Sequence, residues 1–321
     1  MNLRQVVLLA LTAAAGLPLP AAAGADSAWQ FSGFATAGAA YTHADELQFA
    51  RVGIDAPGGN RVDTGPDSVI GVQAGLRFGA HNTAVVQFVT RETQRGDYDP
   101  RAALAFVSHA LTPELTVRAG RLRSPFFMLS DTADINYNQT WVRPPVEVYG
   151  LNPFSDLDGI DLLHRSRIGE TFVELHPYVG RSRVPVIGGG RARLSDLIGM
   201  RVTVEAGRLS LSAGYAQADL AVHRDSAATL DLSPQLLARL TGSGADASFS
   251  SLGLQWDDGR WIVSAELART TADAFTNSAT GAYFALARRF GSLTPYVSLA
   301  RQWQDEPLVN VAEAHTDAER S

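Results

Sequence analysis

Apolar and polar positions alternate along most of this chain. Residues 68–79, "SVIGVQAGLRFG", put Ile70, Val72, Ala74, Leu76 and Phe78 on one face and Gly71, Gln73, Gly75 and Arg77 on the other. The run "NTAVVQFVTR" sets Ala84, Val86 and Phe88 opposite Val85, Gln87 and Arg91, and "LIGMRVTVEAG" sets Ile198, Met200, Val202 and Val204 against Gly199, Arg201, Thr203 and Glu205. A period of two with one apolar face and one polar or glycine face is the signature of a β-strand. Read this way, the sequence predicts thirteen strands, at 29–42, 68–79, 82–91, 101–111, 115–121, 159–167, 171–180, 197–206, 209–219, 248–257, 261–271, 281–290 and 293–303.

The links between these segments alternate in length. Long links at 43–67, 92–100, 122–158, 181–196, 220–247 and 272–280 take turns with short ones at Ala80–His81, 112–114, Gly169, Gly207–Arg208, 258–260 and Gly291–Ser292. A soluble sandwich has no reason to keep that asymmetry. A transmembrane barrel does, with short periplasmic turns at one rim and long external loops at the other, on tilted strands of about 9–11 residues. The predicted fold is therefore all-β, a transmembrane antiparallel up-and-down β-barrel. Trp29, Tyr41, Trp256, Trp261, Tyr296 and Trp303 fall near strand ends, where interfacial aromatic girdles sit.

Composition narrows the function classes. The chain has no Cys, which removes disulfides, thiolate metal sites and thiol nucleophiles. A formal charge of -6 disfavours nucleic-acid binding, which needs a basic face to displace counterions. The N-terminus, "MNLRQVVLLALTAAAGLPLPAAAGA", has Arg4, a short apolar core and small residues at Ala23 and Ala25, which predicts a secretory signal peptide over residues 1–25. Its apolar core is shorter than the roughly 20 residues of a spanning helix. An exported chain without such a helix meets a membrane only as a closed sheet. Residues 26–303 are read as the barrel and 304–321 as a polar tail. Thirteen is odd where bacterial single-chain barrels are even, so either the count is off by one or the last strands are lacking, and the second is the expectation.

The link 122–158 is the longest, carrying aromatics, both charge signs and Pro125, Pro144 and Pro145. Long irregular links within compact domains are usually functional. Prolines end strand pairing and stiffen such a link, and Phe126, Phe127, Tyr137, Trp141 and Tyr149 offer rings to pack it against a wall. A pore selects by its width and by the charges at its narrowest point. Arg118 lies between outward Val117 and Ala119, so it is expected to face the lumen with Arg121 and Arg123 above it. The link then brings Asp131, Asp134, Arg143 and Glu147, and returns through Asp156, Asp158 and Asp161. Wall arginines opposite loop carboxylates would set a transverse field. The blander reading is a salt-bridged lattice that holds the loop.

The signal peptide, "SGFATAG" in the first strand, the run "DYDPRAALAFVSHALTPELTVRAGRLRSPF" and the long third loop resemble Gram-negative porins, in particular the 16-stranded general and anion-selective ones. The resemblance covers most of the chain as a pattern and residues 97–165 as motifs. It implies an outer-membrane homotrimer of water-filled barrels, set in outer-membrane lipid and lipopolysaccharide. Small hydrophilic solutes or ions would diffuse past a third loop folded into the lumen. The absence of a final amphipathic strand with a terminal aromatic departs from the pattern.

Other signals are weak. "DLDGID" has part of a calcium-loop spacing but lacks the acidic twelfth position. Asn138 opens a glycosylation sequon, and the glycines at 188–190 lack the strand–loop–helix setting of a phosphate cradle. No local set of nucleophile, base and orienting acid marks an enzyme, so neither catalysis nor a metal or cofactor is expected. The alternatives are a barrel enzyme of lipase or protease type, whose residues converge only in space, and a structural barrel plugged by its loop. The arginines argue for anions and the acidic balance for cations, which leaves the preference open.

Overall fold

The computed structural model describes residues 28–41, 62–65, 67–93, 97–135, 139–141, 143–186, 189–225 and 234–306. The predicted signal peptide, Tyr137, Asn138, Gly188 and the tail from residue 307 lie outside the described residues. The strands are β1 (Trp29–Thr36), β2 (Ala40–Tyr41), β3 (Val62–Asp63), β4 (Val69–Phe78), β5 (Asn82–Arg91), β6 (Arg101–Ala110), β7 (Leu115–Arg123) and β8 (Asp156–Ile168). They continue with β9 (Thr171–Pro185), β10 (Arg191–Ala206), β11 (Leu209–His223), β12 (Gly242–Asp257), β13 (Trp261–Ala272), β14 (Ser278–Arg288) and β15 (Tyr296–Glu306). Two short helices, α1 (Val146–Tyr149) and α2 (Pro234–Arg239), lie in links.

Thirteen strands form one antiparallel meander, β1-β4-β5-β6-β7-β8-β9-β10-β11-β12-β13-β14-β15, and β2 pairs with β3 apart from it. The predicted first strand breaks after Thr36, and its continuation joins that small second sheet instead. Among the described residues β1 and β15 pair only with β4 and β14, so the sheet has two edges. No described helix is long and apolar enough to cross a membrane, which says nothing of strands.

The alternation resolves into two faces. Ile70, Val72, Val86, Phe88, Ile160, Val179, Ile198, Met200, Tyr215, Leu252 and Phe284 are exposed on the outer face, each opposite another residue of that face in the register. A continuous exposed apolar belt of this extent needs a non-aqueous partner, and lipid is the partner of a barrel's outer wall. Residues between them turn inward, among them Val89, Gln87, His176, Arg201 and Glu266, all buried.

Strands β9 to β12 run further than the alternation predicts, and there the polarity of the faces reverses. Beyond Val179 the outer face carries Arg181 and Arg183, and on β10 it carries Arg191 and Arg193, all exposed. Their inward neighbours Val184, Ala192, Leu194, Leu220 and Val222 are buried and apolar. A bulge between Ser195 and Ile198 joins the two halves of β10. Because β9 and β10 extend and β14 starts earlier than predicted, the predicted long links 181–196 and 272–280 shrink to 186–190 and 273–277. The strict alternation of long and short links therefore weakens towards the end of the chain.

Candidate functional site

The link between β7 and β8, residues 124–155, is folded inside the sheet. Phe126, Phe127, Trp141, Val148 and Phe154 are buried in one cluster with inward residues of the wall, including Leu157, Tyr178, Phe249 and Tyr283. Phe126 meets Phe249 edge-on at 5.3 Å between ring centroids, Phe127 stacks on Tyr149 at 4.5 Å, and Trp141 meets Tyr283 at 5.4 Å. Such aromatic pairs add about 0.5–1.5 kcal/mol each beyond the area they bury.

The loop's polar groups bind the far wall, β10 to β14. Glu266 of β13, 2% exposed, accepts from the Met128 backbone N–H at 2.8 Å and from the Tyr149 hydroxyl at 2.7 Å. Burial, with the Glu266 charge beside it, pushes the Tyr149 phenol well above its ordinary value, so it stays a donor. Ser251 Oγ donates to the Phe126 carbonyl at 2.7 Å. Arg201 donates to the Phe127 carbonyl at 3.3 Å and to Asp131 at 2.9 Å. Burial alone would raise the Asp131 carboxyl, but Arg201 overrides it and holds it below the usual range. The backbone comes close as well. A Cβ on Gly281 of β14 would stand 2.1 Å from the Glu147 carbonyl oxygen of α1, and one on Gly253 would stand 2.8 Å from Met128 Cβ.

The near wall, β4 to β8, meets the loop through charge. Asp134 accepts from Arg123, the last residue of β7, at 2.9 Å, and from Arg91 of β5. Arg143 reaches back to Asp67, just before β4, at 2.5 Å. The loop thus spans the space between the two walls, and the sheet curls around it.

The wall charges nearest the loop are paired among themselves. Arg118 faces inward as expected, and its Nε donates to Asp161 Oδ1 at 2.8 Å across the β7–β8 register. The other Asp161 oxygen lies 2.7 Å from His176 Nε2, and the Asp161 side chain has no exposed surface. A buried carboxylate needs such partners, because an unpaired one carries a penalty of several kcal/mol.

Arg121 and Asp158 depart from the expected placement. Ala119 and Ile160 point outward, and the register runs without a shift through Gly120, so Arg121 and Asp158, two residues further along, share that outer face. There Arg121 forks onto Asp158 at 2.7 and 2.9 Å. Asp156 stands 3.6 Å from Arg121, and all three of Asp156, Asp158 and Asp161 belong to β8 and not to the loop. Glu147 on α1 is half-buried and makes no ion pair among the described residues.

The structure therefore brings Arg123 to Asp134 but leaves Arg118 and Arg121 with strand aspartates instead of loop carboxylates. The sequence reading passed over Arg91, Asp67 and Glu266 as partners, and took Arg201 only as a polar-face residue. For Arg91, Arg201 and Glu266 the one visible signal was charge on the inward face of a strand, which for a spanning segment is a functional marker in itself, while Asp67 lies in the link before β4. Among the described residues no three His, Asp or Glu side chains converge as a metal site.

These features define the class: the chain has the fold of a porin-type outer-membrane β-barrel, with the third loop inside. No family model matches the sequence, and no curated protein matches it. Among solved structures it is similar to OmpF of Salmonella typhi in complex with daunomycin, at 14% identity over 76% of this chain and 74% of that one, with a TM-score of 0.50. It is also matched by OmpT of Vibrio cholerae, at 12% identity over 88% and 89% with a TM-score of 0.42. OccAB4 of Acinetobacter baumannii matches at 9% identity over 90% and 88%, also with a TM-score of 0.42. The likeness to OmpF speaks for the fold alone.

Proposed function

We propose that this chain is a passive outer-membrane channel for small hydrophilic solutes or ions, narrowed by residues 124–155. It is exported by the signal peptide of residues 1–25, works as a homotrimer in outer-membrane lipid and lipopolysaccharide, and performs no catalysis. The observation that supports this reading is the loop's attachment to both walls, by Glu266 on one side and by Arg91 and Arg123 on the other. A loop so held narrows the lumen at one level and leaves ionised groups there, where water makes them tolerable. Glu147, half-buried and without an ion pair among the described residues, leans the passage toward cations.

A second reading, a barrel closed by its loop, is favoured by how completely the other site charges are paired. Planar-bilayer recording separates the two. The channel reading expects small steps from the intact protein and larger ones after residues 128–149 are deleted. Steps only after the deletion would mark a plug, and silence from both proteins would sink the channel.

A further inference from the structure

At the short-turn rim the outer wall carries an arginine set among apolar side chains. Counting by twos from outward Phe284, β14 turns Leu286 and then Arg288 to the same face. Leu286 stands in register with Val263 of β13 and Val297 of β15, which closes the apolar belt on this side. The next pair along is Trp261 and Arg288. The guanidinium carbon of Arg288 lies 4.8 Å from the centroid of the Trp261 ring and 4.6 Å from that of Phe290. Among the described residues its side chain makes no hydrogen bond and no ion pair, and its Nε is buried without a partner.

The carboxylates of the neighbouring turn are already engaged. Asp257 accepts both terminal nitrogens of Arg289, at 2.6 and 2.7 Å. Asp258 accepts from the backbone N–H groups of Arg260 and Trp261, at 2.8 and 2.6 Å. Beyond Arg288, Phe290 and Leu293 bridge the turn and are 52% and 70% exposed. The guanidinium thus has exposed apolar groups on both sides of it along the sheet. That is the level at which hydrocarbon gives way to headgroups, where aromatic and basic side chains gather. An arginine stacked on rings keeps its plane fixed, and its N–H fork matches two oxygens of one phosphate. At this depth the anion within reach from outside the chain is a lipid phosphate.

We propose that Arg288, held by Trp261 and Phe290, binds the phosphate of a phospholipid headgroup in the leaflet on the short-turn side, with the acyl chains lying along Leu286, Val297 and Phe284. The phosphate completes the one guanidinium of this rim that the turn's own acids leave over. The site needs the barrel to sit in a bilayer and does not need it to conduct.

The test uses the full chain and phosphatidylglycerol, whose binding is titrated by native mass spectrometry. Arg288→Gln should weaken the tightest-bound lipid by about tenfold, the worth of one hydrogen bond to a charged group. Arg208→Gln removes the same charge from a neighbouring turn of that rim and should change nothing. Trp261→Leu and Phe290→Leu keep the charge but free the fork, and each should weaken binding by about threefold. Unchanged binding in Arg288→Gln, or equal losses in Arg288→Gln and Arg208→Gln, overturns the site. Inorganic phosphate at millimolar concentration should not displace the lipid, and displacement overturns the assignment to a lipid. Should Arg288→Gln fail to fold, Arg288→Lys, which keeps the charge and loses the fork, takes its place. In vesicles of the unmutated protein, ³¹P should dephase the ¹³Cζ signal of Arg288 and leave that of Arg208 untouched. An Arg288 signal without dephasing would mark a guanidinium solvated by water alone and overturn the proposal.

Discussion

The two walls that hold the loop do so by different physics. The near wall uses long side chains and charge: Arg91 and Arg123 on Asp134, and Arg143 on Asp67. The far wall uses contact and buried hydrogen bonds: glycines that let the loop's backbone touch the sheet, and Glu266 between Met128 and Tyr149. The near-wall pairs are buried, Asp134 at 7% and Asp67 at 5% exposed, so salt screens them little and stripping a charge from one costs several kcal/mol. On the far wall, removing an acceptor leaves a neutral donor with its full desolvation penalty of about 1–3 kcal/mol. The difference teaches a division of labour, in which the far wall seats the loop by close contact and the near wall locks its tip by buried charge.

The comparison breaks most readily at Gly281. Leucine there would drive its Cβ into the Glu147 carbonyl, so α1 must leave the wall. The expected result is loss of protease protection across residues 143–151 in a barrel whose strands stay heat-resistant. Next comes Glu266→Ala, which strands the Met128 N–H and the Tyr149 hydroxyl. Hydrogen exchange at Met128 should accelerate as though about 2–3 kcal/mol of local stability were lost, and in high salt as much as in low. Unchanged exchange would refute the clamp.

Asp134→Asn sharpens the contrast from the other side. It keeps one accepting oxygen but removes the charge between Arg91 and Arg123, so it should loosen the loop tip by about 2 kcal/mol with little dependence on salt, read by exchange at Ala133 and Ile135. The smallest effect belongs to pH. Arg201 holds the Asp131 carboxyl below its usual range, so this tether is complete above the ordinary aspartate value. It is lost as pH falls through the depressed one, and Asp131→Asn should remove that acid-side step and little else.

Much of the sheet was legible because lipid demands a single apolar face. The strand Asn82–Arg91 lies where its alternation ends, and so does the turn at Gly207–Arg208. Legibility failed where that demand stops. Above the belt, water wets the outer face and the loop greases the inner one, so "RSRVP" and "RARLSD" read as link although they extend β9 and β10. The bulge at Ser195 hid the connection further by shifting the phase. Arg121 could have been placed by counting, since it stands two residues from outward Ala119. The attraction of a lumenal arginine cluster outweighed that parity. The pairs that hold the loop were out of reach because Met128 and Glu266 are far apart in sequence, and neither residue type announces the other.

The outward arginines carry a consequence for the molecule's ride height. Arg181, Arg183, Arg191 and Arg193 begin where the apolar belt ends. A sinking motion of two residues, roughly 7 Å along a strand, would press this collar into hydrocarbon. Each arginine costs up to about 1 kcal/mol near the interface and about 2–4 kcal/mol at the midplane, so four of them resist sinking more with every ångström and the barrel floats at one draught, as a hull does at its waterline. The loop hangs from walls whose level is set this way. Its depth in the membrane is thus governed by residues on the outside of the barrel that never touch it.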